Sequence, residues 1–264
     1  MIMDRLLDQL TAHQTVNSIK NRKNPIARNG YKITSQHEED GIIEEIFYRI
    51  GIAKPNFIEI GADMKSFENN SSALAIRGSK GVWIDMNEPL VKVNKERVLC
   101  MSAKVTPQNV KDIIGKSIDF IGTKNLNLLS LDIDSNDYHI LREIIKDFEF
   151  DSLVVEYNAN WGKHNAIYSK FEENFSRSNG DYYGMSLKAA VNLLNDYSLI
   201  CCNITGVNAF FIHNKYLSKF SDCVYSDPTN HYMPPTHKYY NFRLGGSITT
   251  QKSFFSHLTY AEHG

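Results

Sequence analysis

Acidic side chains are concentrated directly after one short apolar run, residues 127–131. Asp132, Asp134 and Asp137 lie within six residues of one another. This much negative charge at the end of a buried strand is unfavourable unless something positive is bound, such as a sulfonium, a metal ion or Lys and Arg side chains. The alternative is a loop in which Asp and Asn form a turn and cap the next helix. We expect a functional site because polar residues also end the neighbouring runs.

Two earlier runs end in residues typical of a nucleoside pocket. Residues 56–61 end with Glu59, Gly61 and then Ala62, and residues 81–85 end at Asp85. A glycine at a strand end lets the backbone approach a ligand closely. An acidic residue about 20 residues further on is where such sheets bind ribose hydroxyls. The alternatives are an ordinary strand-ending glycine and, for Asp85, a helix N-cap.

A further run, residues 152–156, ends in Glu156 and is followed by Asn158. Together with Asp132 these residues would provide an all-oxygen ligand set for Mg²⁺ or another divalent ion. Asp134 and His139 are candidate general bases, since a carboxylate or an imidazole can accept a proton near neutral pH. The alternative for the histidine is a structural role.

An early helix is predicted to begin near Ser35, which is a suitable N-cap residue. Gln36 and Asp40 lie about one turn apart on it and could form a polar face over a cofactor. Equally, both side chains could be solvated.

The spacing of apolar residues predicts the elements that position these side chains. Five short buried runs, residues 56–61, 81–85, 97–102, 127–132 and 152–156, alternate with helical stretches. This alternation predicts an α/β fold with a parallel sheet and helices on both faces. Two more runs, residues 197–202 and 209–213, are joined by a short loop and predict an antiparallel edge.

Composition excludes several classes of protein. The chain has 264 residues, a formal net charge of −1 and 42% hydrophobic residues, which is typical of a globular protein. Near-zero net charge argues against nucleic acid as a partner. We find neither a secretory signal nor an apolar run long enough to cross a membrane, and the four cysteines form no CxxC pair, so we expect a cytoplasmic protein with reduced thiols.

Three regions are predicted along the chain. Residues 1–33 form a helical extension, in which residues 24–32 contain Pro25 and Gly30 and predict a linker. Residues 34–214 form the main domain, and residues 215–264 form an extension rich in Tyr, His and Pro. The N-terminal helix could pack on the main domain or on a second copy, which would make a homodimer.

In this order, the motifs resemble the FkbM-like branch of the S-adenosylmethionine-dependent methyltransferases, and most closely its bacterial subset associated with surface glycans. The resemblance covers residues 35–214. The matching segments are SQHEEDG (35–41), FIEIGA (57–62), GVWID (81–85), VTPQNV (105–110), LSLDIDSNDY (129–138), VVEYN (154–158), YGMSLK (183–188) and NAFF (208–211).

The resemblance implies a Rossmann-like class I methyltransferase sheet of seven strands with the last strand antiparallel. It implies S-adenosylmethionine at Glu59, Gly61, Ala62 and Asp85, with adenine near Ser102 and Ala103. Asp132 would face the methionine end.

The implied reaction is methylation of an oxygen on a sugar or on a nucleotide- or lipid-linked sugar, in the synthesis of capsule or another surface polysaccharide. The alternatives are an N-methyltransferase acting on a small polar acceptor, a nicotinamide-dependent oxidoreductase and a non-catalytic scaffold.

Overall fold

Seven strands form a single mixed sheet in the computed structural model, which describes residues 2–174 and 182–236. The strands are β1 (Phe57–Ile60), β2 (Gly81–Asp85), β3 (Val98–Ser102), β4 (Leu126–Leu131), β5 (Phe150–Glu156), β6 (Tyr197–Cys202) and β7 (Asn208–His213). Every predicted run is a strand, with ends within about two residues of those expected.

The strand order is β3-β2-β1-β4-β5-β7-β6. β1 pairs in parallel with β2 and β4, β2 with β3, and β4 with β5. β7 is antiparallel to both of its neighbours, β5 and β6. The predicted α/β class, mostly parallel sheet and antiparallel last strand are therefore confirmed. The edge strand, however, is β6, because β7 inserts between it and β5.

Helices cover both faces of the sheet, as predicted. They are α1 (Ile2–Lys20), α2 (Glu39–Ile50), α3 (Ser72–Ile76), α4 (Val110–Ile121), α5 (Asp137–Ile144) and α6 (Leu187–Leu193). Short 3₁₀ helices occupy Ala27–Asn29, Ala159–Trp161, Asn214–Phe220 and Pro228–His231. One buried cluster joins α4, α5 and α6 to the sheet, and a second joins α2 to the opposite face.

Helix α2 shows how its sequence determines its position. Ile42, Ile43, Ile46 and Phe47 recur at helical spacing, and all four are buried against the sheet. The helix begins at Glu39 rather than near Ser35. Ser35 belongs instead to a preceding turn, where its hydroxyl accepts a hydrogen bond from the Asp40 backbone N–H at 3.2 Å.

The segment predicted as a linker, residues 24–32, is instead packed on the body. Ile26 is fully buried in the cluster that contains α2. The Asn24 amide donates to the Ile200 carbonyl at 2.7 Å and accepts from the Ile26 N–H at 2.9 Å. The C-terminal extension also contributes to this cluster, through Phe220 and Cys223. Its residues 237–264 lie outside the described part of the chain.

Among the described residues, no helix combines the length and the apolar character needed to cross a bilayer.

Candidate functional site

The carboxyl ends of the central strands meet at one edge of the sheet. The parallel register places Ile60 beside both Ile84 and Leu131, and Leu131 beside Val155. The residues that end or follow these strands therefore lie side by side: Gly61, Asp85, Asp132 and Glu156. Strand order reverses between β1 and β4, and ligands of open α/β sheets bind at such a switch point.

Gly61 allows the backbone after β1 and the backbone after β4 to lie in direct contact at this switch point. Its φ is +89°, a left-handed conformation that glycine adopts readily. A Cβ atom at this position would lie 1.6 Å from the carbonyl oxygen of Asp132. The backbone after β1 thus packs directly on the backbone after β4, and only glycine fits between them.

Glu59 and Ala62 flank this glycine and are both buried. The Glu59 carboxylate accepts from the backbone N–H groups of Asn70 and Ser71, each at 2.9 Å, and from the Ser71 hydroxyl. Burial raises the pKa of Glu59, and these hydrogen bonds oppose that rise. Glu59 therefore holds the loop that leads into α3 by hydrogen bonds.

Asp85 ends β2 at the same edge and is partly exposed. Its Oδ1 accepts from the Asn87 N–H at 2.8 Å and from the Asn87 side-chain amide at 2.6 Å. The described residues show no hydrogen bond to its Oδ2. The exposed Ser102 ends β3 alongside, and the Ala103 N–H donates to the Asp85 carbonyl at 2.7 Å.

Gln36 and Asp40 differ in their surroundings. Gln36 is exposed. Asp40 is buried, and its Oδ2 accepts from three successive backbone N–H groups, those of Ile33, Thr34 and Ser35, at 2.6–2.9 Å. Burial raises the pKa of Asp40, while these hydrogen bonds oppose the rise. Asp40 thus organises the turn before α2, and Gln36 is presented from that turn.

Three carboxylates converge beyond β4 and β5. Asp132, Asp134 and Glu156 each offer an oxygen, and these oxygens lie within 4.8 Å of one another. Burial, followed by the charges of Asp134 and Asp137, raises the pKa of Asp132 to about 7. Burial and the nearby Asp132 raise the pKa of Glu156 well above its ordinary value.

The loop after β4 is shaped by Asp137 and by Asp134 itself. The Asp137 carboxylate accepts from the Ile133 and Ser135 N–H groups, each at 2.9 Å. Asp134 has a φ of +56°, a conformation that Asp tolerates better than most residues. This turn directs the chain from β4 into α5 and keeps Asp134 beside Asp132.

Asn158, predicted as a metal ligand, follows Glu156 and caps a short helix. Its Oδ1 accepts from the Asn160 N–H at 3.1 Å as the N-cap of the 3₁₀ helix Ala159–Trp161. Its Nδ2 donates to the Tyr183 carbonyl at 3.2 Å. The sequence prediction did not include Asp134 among the metal ligands, and the structure brings its carboxylate beside those of Asp132 and Glu156.

His139 lies on the first turn of α5, among aromatic rings. Its Nε2 is 2.9 Å from the Ser169 carbonyl oxygen. Because a carbonyl oxygen can only accept, Nε2 carries a proton in this contact. Tyr138, Tyr168 and Phe171 pack edge-on to the imidazole, with ring centroids 5.7–5.8 Å away.

The sequence pattern missed a buried polar network behind this edge. Burial and the charge of Glu39 raise the pKa of Glu38 to about 7, and the Arg22 guanidinium lies 3.6 Å from its carboxylate. Burial alone would raise the pKa of Glu39, but His37 and Asn208 lower it to about 2. Asn208 is paired with Glu156 across β5 and β7, so the network adjoins the carboxylate group. The sequence feature that could have indicated this network is the pair of acids in SQHEEDG, which directly precedes the apolar residues of α2.

Comparisons with known proteins assign no family to the chain. No family model and no curated protein matches the chain. Twelve chains of solved structures match. One is a putative hemolysin from Lactococcus lactis, at 10% identity and a TM-score of 0.40, in an alignment that covers 69% of this chain and 89% of that chain. At this TM-score the similarity assigns neither a family nor a function.

Proposed function

We propose that the chain is an S-adenosylmethionine-dependent methyltransferase of the Rossmann-like class I fold. It would methylate an oxygen of a sugar or of a nucleotide- or lipid-linked sugar, in the synthesis of capsule or another surface polysaccharide. The resemblance to the FkbM-like family supports this proposal, since that family implies seven strands with the last one reversed. The sheet has this arrangement.

The observation that carries the proposal is the contact between Gly61 and the Asp132 carbonyl at the switch point. This contact lies between the strand ends that carry two acidic residues, Asp85 and Asp132. The residue types at this edge suit the groups of S-adenosylmethionine. Asp85 Oδ2 can accept from ribose hydroxyls, Ser102 and Ala103 lie beside it for the adenine, and Asp132 supplies negative charge for the methionine end.

When bound, S-adenosylmethionine supplies an electrophilic methyl group on sulfur. The chain must then align an acceptor oxygen with that methyl group and remove the hydroxyl proton. Asp134 lies beside Asp132 beyond the end of β4, so its carboxylate is one candidate to accept this proton. His139 is the second candidate, because its contact with the Ser169 carbonyl engages Nε2 and leaves Nδ1 as the ring nitrogen that could accept a proton.

Equilibrium binding tests the proposal without knowledge of the acceptor. We expect the full chain to bind S-adenosylhomocysteine in a calorimetric titration and not to bind NAD, because the turn after β1 has a single glycine and no pyrophosphate cradle. Asp85→Ala should weaken S-adenosylhomocysteine binding by about tenfold or more, since a charge-assisted hydrogen bond contributes about 1.5–3 kcal/mol. Asp112→Ala, an exposed acid on α4, is the matched control and should bind normally.

Two results would contradict the proposal. Preferential binding of NAD would favour the oxidoreductase, and binding of neither nucleotide would favour a scaffold. If S-adenosylhomocysteine binds, screening sugar and amine acceptors for product mass separates O-methylation from N-methylation.

A further inference from the structure

We infer that Asp132, Asp134 and Glu156 form a binding site for a hard divalent cation beyond the carboxyl ends of β4 and β5. The site itself depends only on these side chains, whereas any part that it has in methyl transfer rests on the proposed function. It adds Asp134 to the two carboxylates, Asp132 and Glu156, that the sequence predicted as ligands.

The spacing of the three oxygens suits such an ion. They lie within 4.8 Å of one another. Two oxygens on opposite sides of Ca²⁺ are separated by about 4.6–5.2 Å, and on opposite sides of Mg²⁺ by about 4.2 Å. Oxygens that all lie within 4.8 Å of one another can therefore contact a single ion of this kind.

Glu156 provides the second, independent observation. Its exposed fraction is only 6%, and its Oε2 has no hydrogen-bond partner in the described part of the chain. Glu59 is equally buried, but its two carboxylate oxygens accept hydrogen bonds from Asn70 and Ser71. The Glu156 carboxyl shares a side-chain hydrogen bond with that of Asp132, which is another acid and brings no positive charge. A buried carboxylate oxygen is expected to have a partner, so the remaining oxygen, Oε2, still lacks a donor or a positive group.

No side chain supplies that positive charge to the two most enclosed acids. Within residues 2–174 and 182–236, no Lys, Arg or His forms an ion pair with Asp132 or Glu156. By contrast, the buried Asp151 at the other end of β5 lies 2.8 Å from the Lys215 ammonium group. Carboxylate oxygens are the ligands that Ca²⁺, Mg²⁺ and Mn²⁺ prefer.

A cation here could serve the reaction that we propose. Bound beside the acceptor, it would orient the hydroxyl and lower its pKa, so that a weaker base suffices to remove the proton. The chain's own residues would hold the ion, and the edge of the sheet would fix it next to the switch point.

Mn²⁺ binding to the full chain tests the site directly. We would strip the protein of metal with EDTA, dialyse it, titrate it with Mn²⁺ and measure free Mn²⁺ by electron paramagnetic resonance. Mg²⁺ and Ca²⁺ would then be added as competitors. The variants are Glu156→Gln and Asp132→Asn, and the matched control is Asp151→Asn on the same strand.

We expect one Mn²⁺ per chain, displaced by Mg²⁺ or Ca²⁺. Glu156→Gln and Asp132→Asn should each weaken binding by at least about tenfold, because losing a direct ligand should cost no less than losing one of its outer partners. Asp151→Asn should bind Mn²⁺ like the wild type. Thermal unfolding gives a second readout, since Mn²⁺ should raise the Tm of the wild type and of Asp151→Asn but not of the other two variants.

The proposal is overturned if the wild type binds no Mn²⁺, or if both ligand variants bind as tightly as the wild type. A rise in the Tm of metal-free Glu156→Gln together with no Mn²⁺ binding would show instead that the acids share a proton. Failure here is distinguishable from failure of the methyltransferase proposal, because S-adenosylhomocysteine binding is measured separately in EDTA.

Discussion

Replacing Gly61 by alanine should destabilise the protein more than the same change at another left-handed glycine. At Gly61 the new methyl group would meet the Asp132 carbonyl oxygen at 1.6 Å, with the carbonyl carbon at 2.6 Å. Both atoms belong to the backbone, so no side-chain rotation can relieve the overlap. The strands β1 and β4 would have to separate at the switch point.

The expected loss in the free energy of unfolding has two parts. A left-handed conformation costs alanine about 1–2 kcal/mol relative to glycine. Overpacking against a fixed neighbour adds about 1–3 kcal/mol. Gly122 supplies the matched control, because its φ is +85° and an added Cβ would meet nothing within 4 Å. We therefore expect Gly122→Ala to lose about 1–2 kcal/mol and Gly61→Ala to lose about 2–5 kcal/mol.

Urea unfolding, monitored by circular dichroism, measures the loss of unfolding free energy in both variants. S-adenosylhomocysteine binding of the folded variants provides a functional readout, which should fail for Gly61→Ala and persist for Gly122→Ala. If the two variants lose the same free energy of unfolding, Gly61 does not pack on Asp132 and the geometry of the switch point is wrong.

Three further predictions concern the buried polar groups. Arg22→Met should lower the free energy of unfolding by about 3 kcal/mol at pH 8, because Glu38 would keep a buried charge without its cation. The loss should be smaller at pH 5, and urea unfolding that shows equal losses at both pH values would contradict this. The pKa of Glu38 is raised from its ordinary value of 4.5 to about 7, so the stability that it contributes is complete below pH 4.5 and is lost as the pH rises through 7. That loss is about 3 kcal/mol, and Glu38→Gln should remove it from the dependence of the unfolding free energy on pH. If this dependence has the same slope between pH 5 and pH 8 in Glu38→Gln as in the wild type, the raised pKa does not belong to Glu38. Asp40→Ala should cost about 2–4 kcal/mol in urea unfolding, because three backbone N–H groups lose their acceptor. The exposed Asp112→Ala should cost less than about 1 kcal/mol, because Asp112 only lies in the first turn of α4; equal losses would contradict the role given to Asp40.

The sheet could be predicted from the sequence because its strands are short apolar runs ending in polar or glycine residues. Parallel pairing then places Asp85, Asp132 and Glu156 at one edge without any knowledge of side-chain contacts. The position of β7 between β5 and β6 could not be predicted, because both an edge hairpin and an inserted strand fit the same two runs. Which strand becomes the neighbour of β5 depends on packing between distant parts of the chain.

The side-chain contacts were less predictable than the strand ends. Asn158 lies two residues beyond Glu156, and its side chain caps a 3₁₀ helix, a contact that the pattern of acids and apolar residues does not report. Asp40 was expected on a polar face over a ligand, yet it accepts hydrogen bonds from the turn before it. Glu38 bonds the Ile204 N–H, which is 166 residues away in the chain, and no local pattern reports such a partner.

A crystal structure of the full chain grown with S-adenosylhomocysteine tests the central claim most directly. We predict that the nucleoside lies at the carboxyl ends of β1 and β2, with its ribose hydroxyls on the Asp85 carboxylate and its sulfur on the side of Asp132. A nucleoside bound elsewhere on the protein, or a switch point closed by side chains in the presence of saturating ligand, would contradict the account.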